Sequence, residues 1–510
     1  MEHLYEKLSD YGKSGIYPCH MPGHKRQGWG RLPGEWYSVD ITEIEGFDNL
    51  HHPEGILREL QREAARLYGA EESFYLVNGS TCGILAAVSC AVSFGGHILM
   101  ARNCHKSAYH AVYLRQLKPR YLYPDYLEEY GILEAVTPEQ VRRGLEQEPK
   151  AEAVLVVSPT YEGRMADISG IARIVHERGI PLIVDEAHGA HLGLGKGFPE
   201  NSCQAGADLV IHSVHKTLPA LTQTALLHVN GKLADRHRLR KFLQIYQTSS
   251  PSYPLMASID NALEYVDLYG KDAFARFKGL YGQMMGRLSG CRQLKFLPKD
   301  NGKQDIGKLL VSVKQTEING KQLYDRLLLE YHIQTEMAGG DYVLAMFTIN
   351  DKKETYEHMT EALLDIDRRL ASGDLAAEGE TGTKGDGIFP FWFSTGKGGI
   401  PLAEAWEGEA EDVTLGESVG RYAAEFVSLY PPGAPLLVPG EQITGEFCRG
   451  IRESLEKGLT VQGIVQKGDG LTPGEKILIR VIKDKKRLRK LPQDGKNIRA
   501  NNNIKEKEAE

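Results

Sequence analysis

The sequence predicts an α/β protein, with a large domain built on a mostly parallel sheet, then a small α+β domain and a C-terminal α+β domain. Three observations predict it. From about residue 55 to 270, short apolar runs alternate with amphipathic stretches, the pattern of strands joined by crossover helices that cover both faces of a sheet. Unusual polar motifs stand where several of the apolar runs end, which is where open parallel sheets bind ligands. Two later blocks carry strand-like and helix-like segments of their own, and between them lies a small, polar, Gly-rich stretch, 371–387.

The elements follow in chain order. Residues 1–50 are mixed and rich in Gly, Pro and His, and read as an arm rather than a packed unit. The large domain is placed at 51–274. It opens on a helix, Ile56–Tyr68, with Ile56, Leu57, Leu60, Ala64 and Leu67 on one face. Strand-like runs follow at Phe74–Val77, His97–Ala101, Ala153–Val157, Pro181–Val184, Leu209–Ile211 and Thr224–Val229, with a helical Ile168–Arg178 among them. The small domain, 275–370, has strand-like Lys308–Val313 and Tyr342–Thr348 and helix-like Gly320–Tyr331 and Glu354–Leu370. After the linker at 371–387, the third unit, 388–483, is expected to carry a helix near Gly416–Tyr430 and a Pro/Gly-rich stretch from Tyr430 to Glu441. Residues 484–510 lose apolar periodicity and are expected to be a disordered tail; its basic run, Lys485–Lys490, reads as solvated.

Composition excludes several classes. The 510 residues carry a formal charge of −7, so no global basic field argues for nucleic acid. No apolar run reaches the roughly 18 residues needed to span a membrane, and the first residues lack the pattern of a secretory signal. The seven cysteines form no Cys-x-x-Cys pair, which reads as reduced thiols in a cytoplasmic protein. Cys19, His20 and Cys104 have the wrong spacing for a compact zinc site, so no metal is expected.

Three strand ends carry chemistry. Val184 leads into Asp185-Glu186-Ala187-His188, which sets Asp185 at a strand's carboxyl end. Ile211 leads into His212-Ser213-Val214-His215-Lys216, a lysine beside two histidines and a serine. Desolvation and neighbouring cations lower an ammonium pKa, and a neutral amine is what a Schiff base needs. Leu76-Val77 leads into Asn78-Gly79-Ser80-Thr81, then a helix from Ile84; free backbone N–H groups and hydroxyls there make an anion site. The order is informative: a phosphate cup, then an acid, then a lysine 31 residues after Asp185. This is similar to the layout of pyridoxal 5′-phosphate (PLP) enzymes of the aspartate aminotransferase-like fold. There the cup holds phosphate, the acid keeps the pyridine nitrogen protonated, and the lysine carries the cofactor. A fourth element, Arg102 to Ser107, offers His105 as a ring-stacking residue and proton donor.

The chain also resembles the Orn/Lys/Arg decarboxylase family. The matching stretches are His20–Lys25, Asp48–His51, Asn103–Ser107, Ser158–Gly163, Asp185–Gly189, Ser213–Lys216 with Thr222-Gln223, Tyr430–Gly433 and Pro439–Glu441. The resemblance covers nearly all of 1–483 and is to the short bacterial form. It implies that Lys216 forms the Schiff base, Asp185 pairs with the pyridine nitrogen, His105 stacks on the ring, and Ser80, Thr81 and Ser213 hold the phosphate. It further implies that His215 lies beside the reacting nitrogen as a proton donor and that His188 sits at the ring. A homodimer or higher homo-oligomer is implied, with Thr248-Ser249-Ser250 reaching the partner's phosphate. Glu441 is either the acid facing the substrate's distal cation or an exposed turn acid. The implied reaction converts arginine, lysine or ornithine to its amine, a step in polyamine synthesis, in the cytoplasm. Fold alone leaves open an aminotransferase, a carbon–carbon bond-forming synthase or a silent regulator.

Overall fold

In the computed structural model the described residues are 2–14, 22, 25, 34–298, 303–375, 399–431, 433–466 and 477–483. The tail expected at 484–510 and most of the linker at 371–387 lie outside them. A seven-stranded sheet organises the first 230 residues. Across it the strands run Glu72–Leu76, Ala225–Val229, Leu209–His212, Leu182–Asp185, Ala151–Val157, His97–Ala101 and Lys118–Leu122. Only Ala225–Val229 is antiparallel to its neighbours; the other five strands that follow it in this order pair in parallel with one another. The four central strands are almost wholly buried, because helices cover both faces; hence their continuous apolar runs.

Local chemistry sets the helix ends. Ile56–Tyr68 stops at Gly69, whose φ of +68° suits glycine and whose N–H returns to the Ala65 and Arg66 carbonyls. Pro138–Gln147 starts from Thr137 in a capping box with Gln140. Asp48 receives the N–H groups of Glu54, Gly55 and Leu57, and so fixes the entry to the first sheet helix.

Two expectations are corrected here. The start of the arm is packed: helix Leu4–Lys13 buries Leu4 and Leu8, and the Leu4 N–H donates to Asp260 at 2.9 Å. Helix Tyr253–Leu288 spans 36 residues and passes through residue 275, so no chain break marks the start of the second unit there. This helix shares one core with both sheets: Tyr75 and Leu226 of the large sheet, and Leu309, Val311 and Val343 of the second, belong to the same apolar cluster. The second sheet is antiparallel, in the order Lys295–Phe296, Lys308–Ser312, Tyr342–Met346, Met337–Ala338.

The C-terminal unit has two small sheets and helix Gly445–Glu456. The helix expected near Gly416–Tyr430 is absent. Gly420 takes φ +80°, and the Ala423 and Ala424 N–H groups pair with the Glu441 and Arg480 carbonyls, so the segment is turn and bridge up to strand Val427–Leu429. Apolar spacing there serves sheet pairing instead of a helix face.

Candidate active site

Strand Leu182–Asp185 delivers Asp185 at its end. The neighbouring strand Leu209–His212 runs into Ser213 and a one-turn helix, Val214–Thr217, that carries His215 and Lys216. Asp185 and Lys216 line one cavity of about 350 Å³, together with Ser80, Asn103, His105 and His188. Asp185 is 6% exposed, and the Ala187 N–H donates to it at 3.2 Å. Burial pushes its carboxyl above the usual range, opposed by the Lys216 charge. Burial lowers the Lys216 ammonium pKa, against the pull of Asp185 and Glu336. The Lys216 Nζ lies 3.1 Å from His188 Nε2.

His105 caps helix Lys106–Leu114: its Nδ1 accepts the Ser107 N–H at 3.2 Å, which leaves the ring proton on Nε2. Burial and the Lys216 charge bring its pKa down to about 4, so the ring is neutral near pH 7. His215 takes the other tautomer. Its Nδ1–H donates to the Thr224 carbonyl at 2.7 Å and leaves Nε2 as an acceptor; the ring is half-buried and does not line the cavity.

The anion cup stands at helix Gly79–Ala91, whose N-cap Asn78 makes no side-chain cap, so the N–H groups that follow Gly79 in its first turn keep their donor capacity. Ser80 lines the cavity, whereas Thr81 is exposed and does not. Gly79, at φ +74°, donates its N–H to the Gln223 carbonyl at 2.9 Å, which ties the cup to the loop that follows Lys216. Among the described residues, Ser213 Oγ and Asn103 Oδ1 are buried with no hydrogen-bond partner; Asn103 lines the cavity, whereas Ser213 does not. Such orphans are costly and fit a polar ligand group. An uncapped helix start, orphaned hydroxyl and amide, a desolvated amine and a buried carboxylate together suit a phosphate-bearing aldehyde with a basic ring nitrogen.

Two further predictions, a loop segment and an acid, also fall outside the cavity. Thr248-Ser249-Ser250 is an exposed loop outside the cavity; the Thr248 N–H donates to Asn78 Oδ1 at 3.1 Å and His51 Nε2 contacts its carbonyl at 2.8 Å. Glu441 is corrected: it does not line the cavity, because its carboxylate is held by Arg102. Arg102 Nη2 donates to Glu441 Oε2 at 3.0 Å, Nε donates to Oε1 at 3.3 Å, and the Val438 N–H donates to Oε2 at 2.9 Å. Arg102 is buried at the end of strand His97–Ala101 and also donates to the Pro435 and Leu436 carbonyls. Glu441 neutralises this cation, which bolts the C-terminal unit to the loop that presents His105.

The sequence reading assigned no role to the opposite wall. Tyr161 meets His188 edge to face, with ring centroids 4.6 Å apart, and its hydroxyl donates to Glu336. Tyr342 donates to Glu162 at 3.1 Å, and Asp341 pairs with Lys457 at 2.7 Å. Glu162, Glu336 and Asp341 all line the cavity. Tyr161 and Glu162 stood in a quoted motif without a role; Glu336 and Asp341 had no motif at all. Lys308, the first residue of its strand, sends Nζ to His188 Nδ1 at 2.7 Å. Behind Asp185, a buried polar chain crosses the strand ends: Glu186 to His212 at 2.6 Å, His212 to His228 at 3.0 Å, and His228 to Ser73 at 2.6 Å.

A mostly parallel sheet with an acid and a lysine on adjacent strand ends, over an uncapped helix start, defines an α/β protein of the aspartate aminotransferase-like class. Family models described as Orn/Lys/Arg decarboxylase, major domain, and Orn/Lys/Arg decarboxylase, C-terminal domain, match residues 2–277 and 402–456. An arginine decarboxylase of Bacillus subtilis is 32% identical over 505 residues, 95% of this chain and 98% of that protein. An arginine decarboxylase of Halalkalibacterium halodurans is 32% identical over 473 residues, 90% of this chain and 94% of that one. The crystal structure of a lysine decarboxylase from Francisella novicida shares the fold, with a TM-score of 0.79 at 18% identity over 94% of this chain and 81% of that one. The chain belongs to the Orn/Lys/Arg decarboxylase family.

Proposed function

We propose that this protein removes the α-carboxylate of a basic amino acid as CO2, with pyridoxal 5′-phosphate held at Lys216, and that arginine is the substrate. The observation that carries the reading is the shared cavity. A desolvated lysine and a buried carboxylate occupy one wall, and three carboxylates face them. When bound, the cofactor supplies an electron sink for the bond to the departing carboxylate. Asp185 holds a proton at the ring nitrogen. Ser80, Ser213 and the free N–H groups at the start of helix Gly79–Ala91 bind the phosphate, with Thr81 at the rim. His105 presents its neutral face and its Nε2–H to the ring, and His188 fixes the side chain of Lys216. His215, next to Lys216 in sequence, keeps Nε2 as a lone pair that takes up and returns a proton.

A basic substrate brings a cation whose burial needs a carboxylate partner. Glu336 answers that need best, since among the described residues its one side-chain hydrogen bond comes from the Tyr161 hydroxyl and the residue lines the cavity. The names of the two bacterial relatives support arginine over lysine and ornithine. The protein would then yield agmatine, a polyamine precursor, in the cytoplasm. A homodimer, with Thr248-Ser249-Ser250 supplied to the partner's phosphate, fits the exposure of that loop. The test is incubation of PLP-loaded protein with arginine, lysine and ornithine separately, followed by identification of the amine. Agmatine as the main product supports the reading; cadaverine or putrescine in its place reassigns the substrate, and a keto acid with no CO2 rejects decarboxylation.

A further inference from the structure

We propose that Lys308 is a positioning residue that acts through His188 to keep the side chain of Lys216 an unprotonated amine. The inference deepens the reading of Lys216 as the cofactor lysine and rests on it. His188 bridges two lysines: Nδ1 is 2.7 Å from Lys308 Nζ and Nε2 is 3.1 Å from Lys216 Nζ. A neutral imidazole has one N–H and one lone pair. One amine must therefore donate into the ring while the other accepts from it, and the accepting amine cannot be an ammonium. Two ammonium groups would need a ring with two lone pairs. The ring is the only member of the three that faces both amines, so it passes the charge state of one lysine to the other.

Geometry selects Lys308 as the cation. Its burial, at 1% exposure, opposes the charge, but its Nζ lies 5.3 Å from the centroid of the Tyr161 ring and beside buried carboxylates that favour it. Asp305, three residues before it, is fully buried and accepts from the Gly307 N–H at 2.8 Å and from His191 Nε2 at 3.0 Å. Burial opposes its ionisation, but His191, that backbone N–H and Lys308 hold its carboxyl below the usual range. The remaining groups facing Lys308 are Glu336, Glu162 and Lys216. Lys216 is faced by Asp185, Glu336, His105 and His188, with His215 beside it in sequence. Burial lowers both ammonium groups, Lys308 to about 8 against Asp305 and Glu336. With Lys308 donating to Nδ1, His188 carries its proton on Nε2 and donates it to the lone pair of Lys216. The ring itself stays neutral, since burial and both lysines hold its pKa well below the ordinary value.

The test is competitive acetylation of full-chain protein with trace acetic anhydride between pH 6 and 11, after dialysis against hydroxylamine to free Lys216. Peptide mass spectrometry then gives a labelling midpoint for each lysine. In the wild type, Lys216 is expected to titrate below Lys308 and below exposed lysines. Lys308→Met should raise the Lys216 midpoint by about one pH unit, which is about tenfold less labelling below the midpoint. Lys308→Arg, which keeps a cation, should restore the wild-type midpoint. In a His188→Phe background, Lys308→Met should add nothing, which separates the relay from direct charge repulsion and needs no Arg variant to fold. An unmoved Lys216 midpoint in Lys308→Met, a Lys308 midpoint below that of Lys216, or an undiminished shift in the His188→Phe background would overturn the proposal. Failure of the cofactor reading looks different: added PLP and borohydride would leave no adduct on Lys216, whatever the midpoints.

Discussion

The two walls of the cavity are built by different kinds of sequence. On one side stand the strand ends of the seven-stranded sheet, where Ser80, Asp185 and Lys216 follow apolar runs within a residue or a few of the strand end. On the other stand Tyr161 and Glu162 from a loop, with Glu336, Asp341 and Tyr342 from the hairpin of the second sheet. On the proposed function, the first wall would hold the cofactor, whose phosphate, ring nitrogen and aldehyde need groups at fixed separations, and a rigid sheet supplies them. On the same proposal the second wall would meet the substrate, and tyrosine hydroxyls and one lysine orient its carboxylates. The proposed function thus puts the chemistry on the sheet and the choice of substrate on the turns.

That comparison can be broken at both walls. The largest effect is expected from Lys216→Ala, which should abolish product formation while the protein stays folded; turnover at the wild-type rate would remove the lysine from the mechanism. Asp185→Asn should cost roughly a hundredfold to a thousandfold in kcat, the scale for losing one preorganised electrostatic group, with PLP still bound. Near-normal kcat would assign protonation of the ring to another group. Glu441→Ala tests the joint between the walls. It strands the buried Arg102 charge, so denaturant unfolding should show a loss of roughly 3–5 kcal/mol. A loss confined to kcat/KM, with stability unchanged, would return Glu441 to substrate binding.

The substrate wall is sharpened by Glu336→Gln. Loss of a hydrogen bond to a charged group should weaken the basic substrate by roughly 1.5–3 kcal/mol in kcat/KM, and the absorbance of bound PLP should not change. An equal loss for a neutral amino acid would show that Glu336 does not read charge. The smallest effect is expected from deletion of 484–510, whose sequence lacks apolar periodicity; activity and thermal midpoint should move little, and a large loss of soluble protein would show that the segment packs.

What was legible follows from the same difference. The central strands announced themselves because burial on both faces leaves continuous apolar runs, and so the positions of Asp185 and Lys216 could be read from where those runs stop. The edge strand Lys118–Leu122 alternates exposure and was missed. Helix Tyr253–Leu288 was missed because it packs between two units, and its burial does not keep to one stripe. Glycine-interrupted spacing at Gly416–Tyr430 mimicked a helix, although its partners are strands far along the chain. The Pro-Gly-Glu turn was noticed for its acid, yet the partner of that acid, Arg102, lies 339 residues away. Lys308 began a strand-like run and gave no sign of burial; only the contact between the two sheets brings it to His188.

The central claim is that Lys216 carries the cofactor, and the cavity offers a sharp test, because Lys308 is held by the same histidine. Protein loaded with PLP and reduced with borohydride should yield one phosphopyridoxylated peptide, and the modified residue should be Lys216. Modification of Lys308, or of neither lysine, would contradict the account.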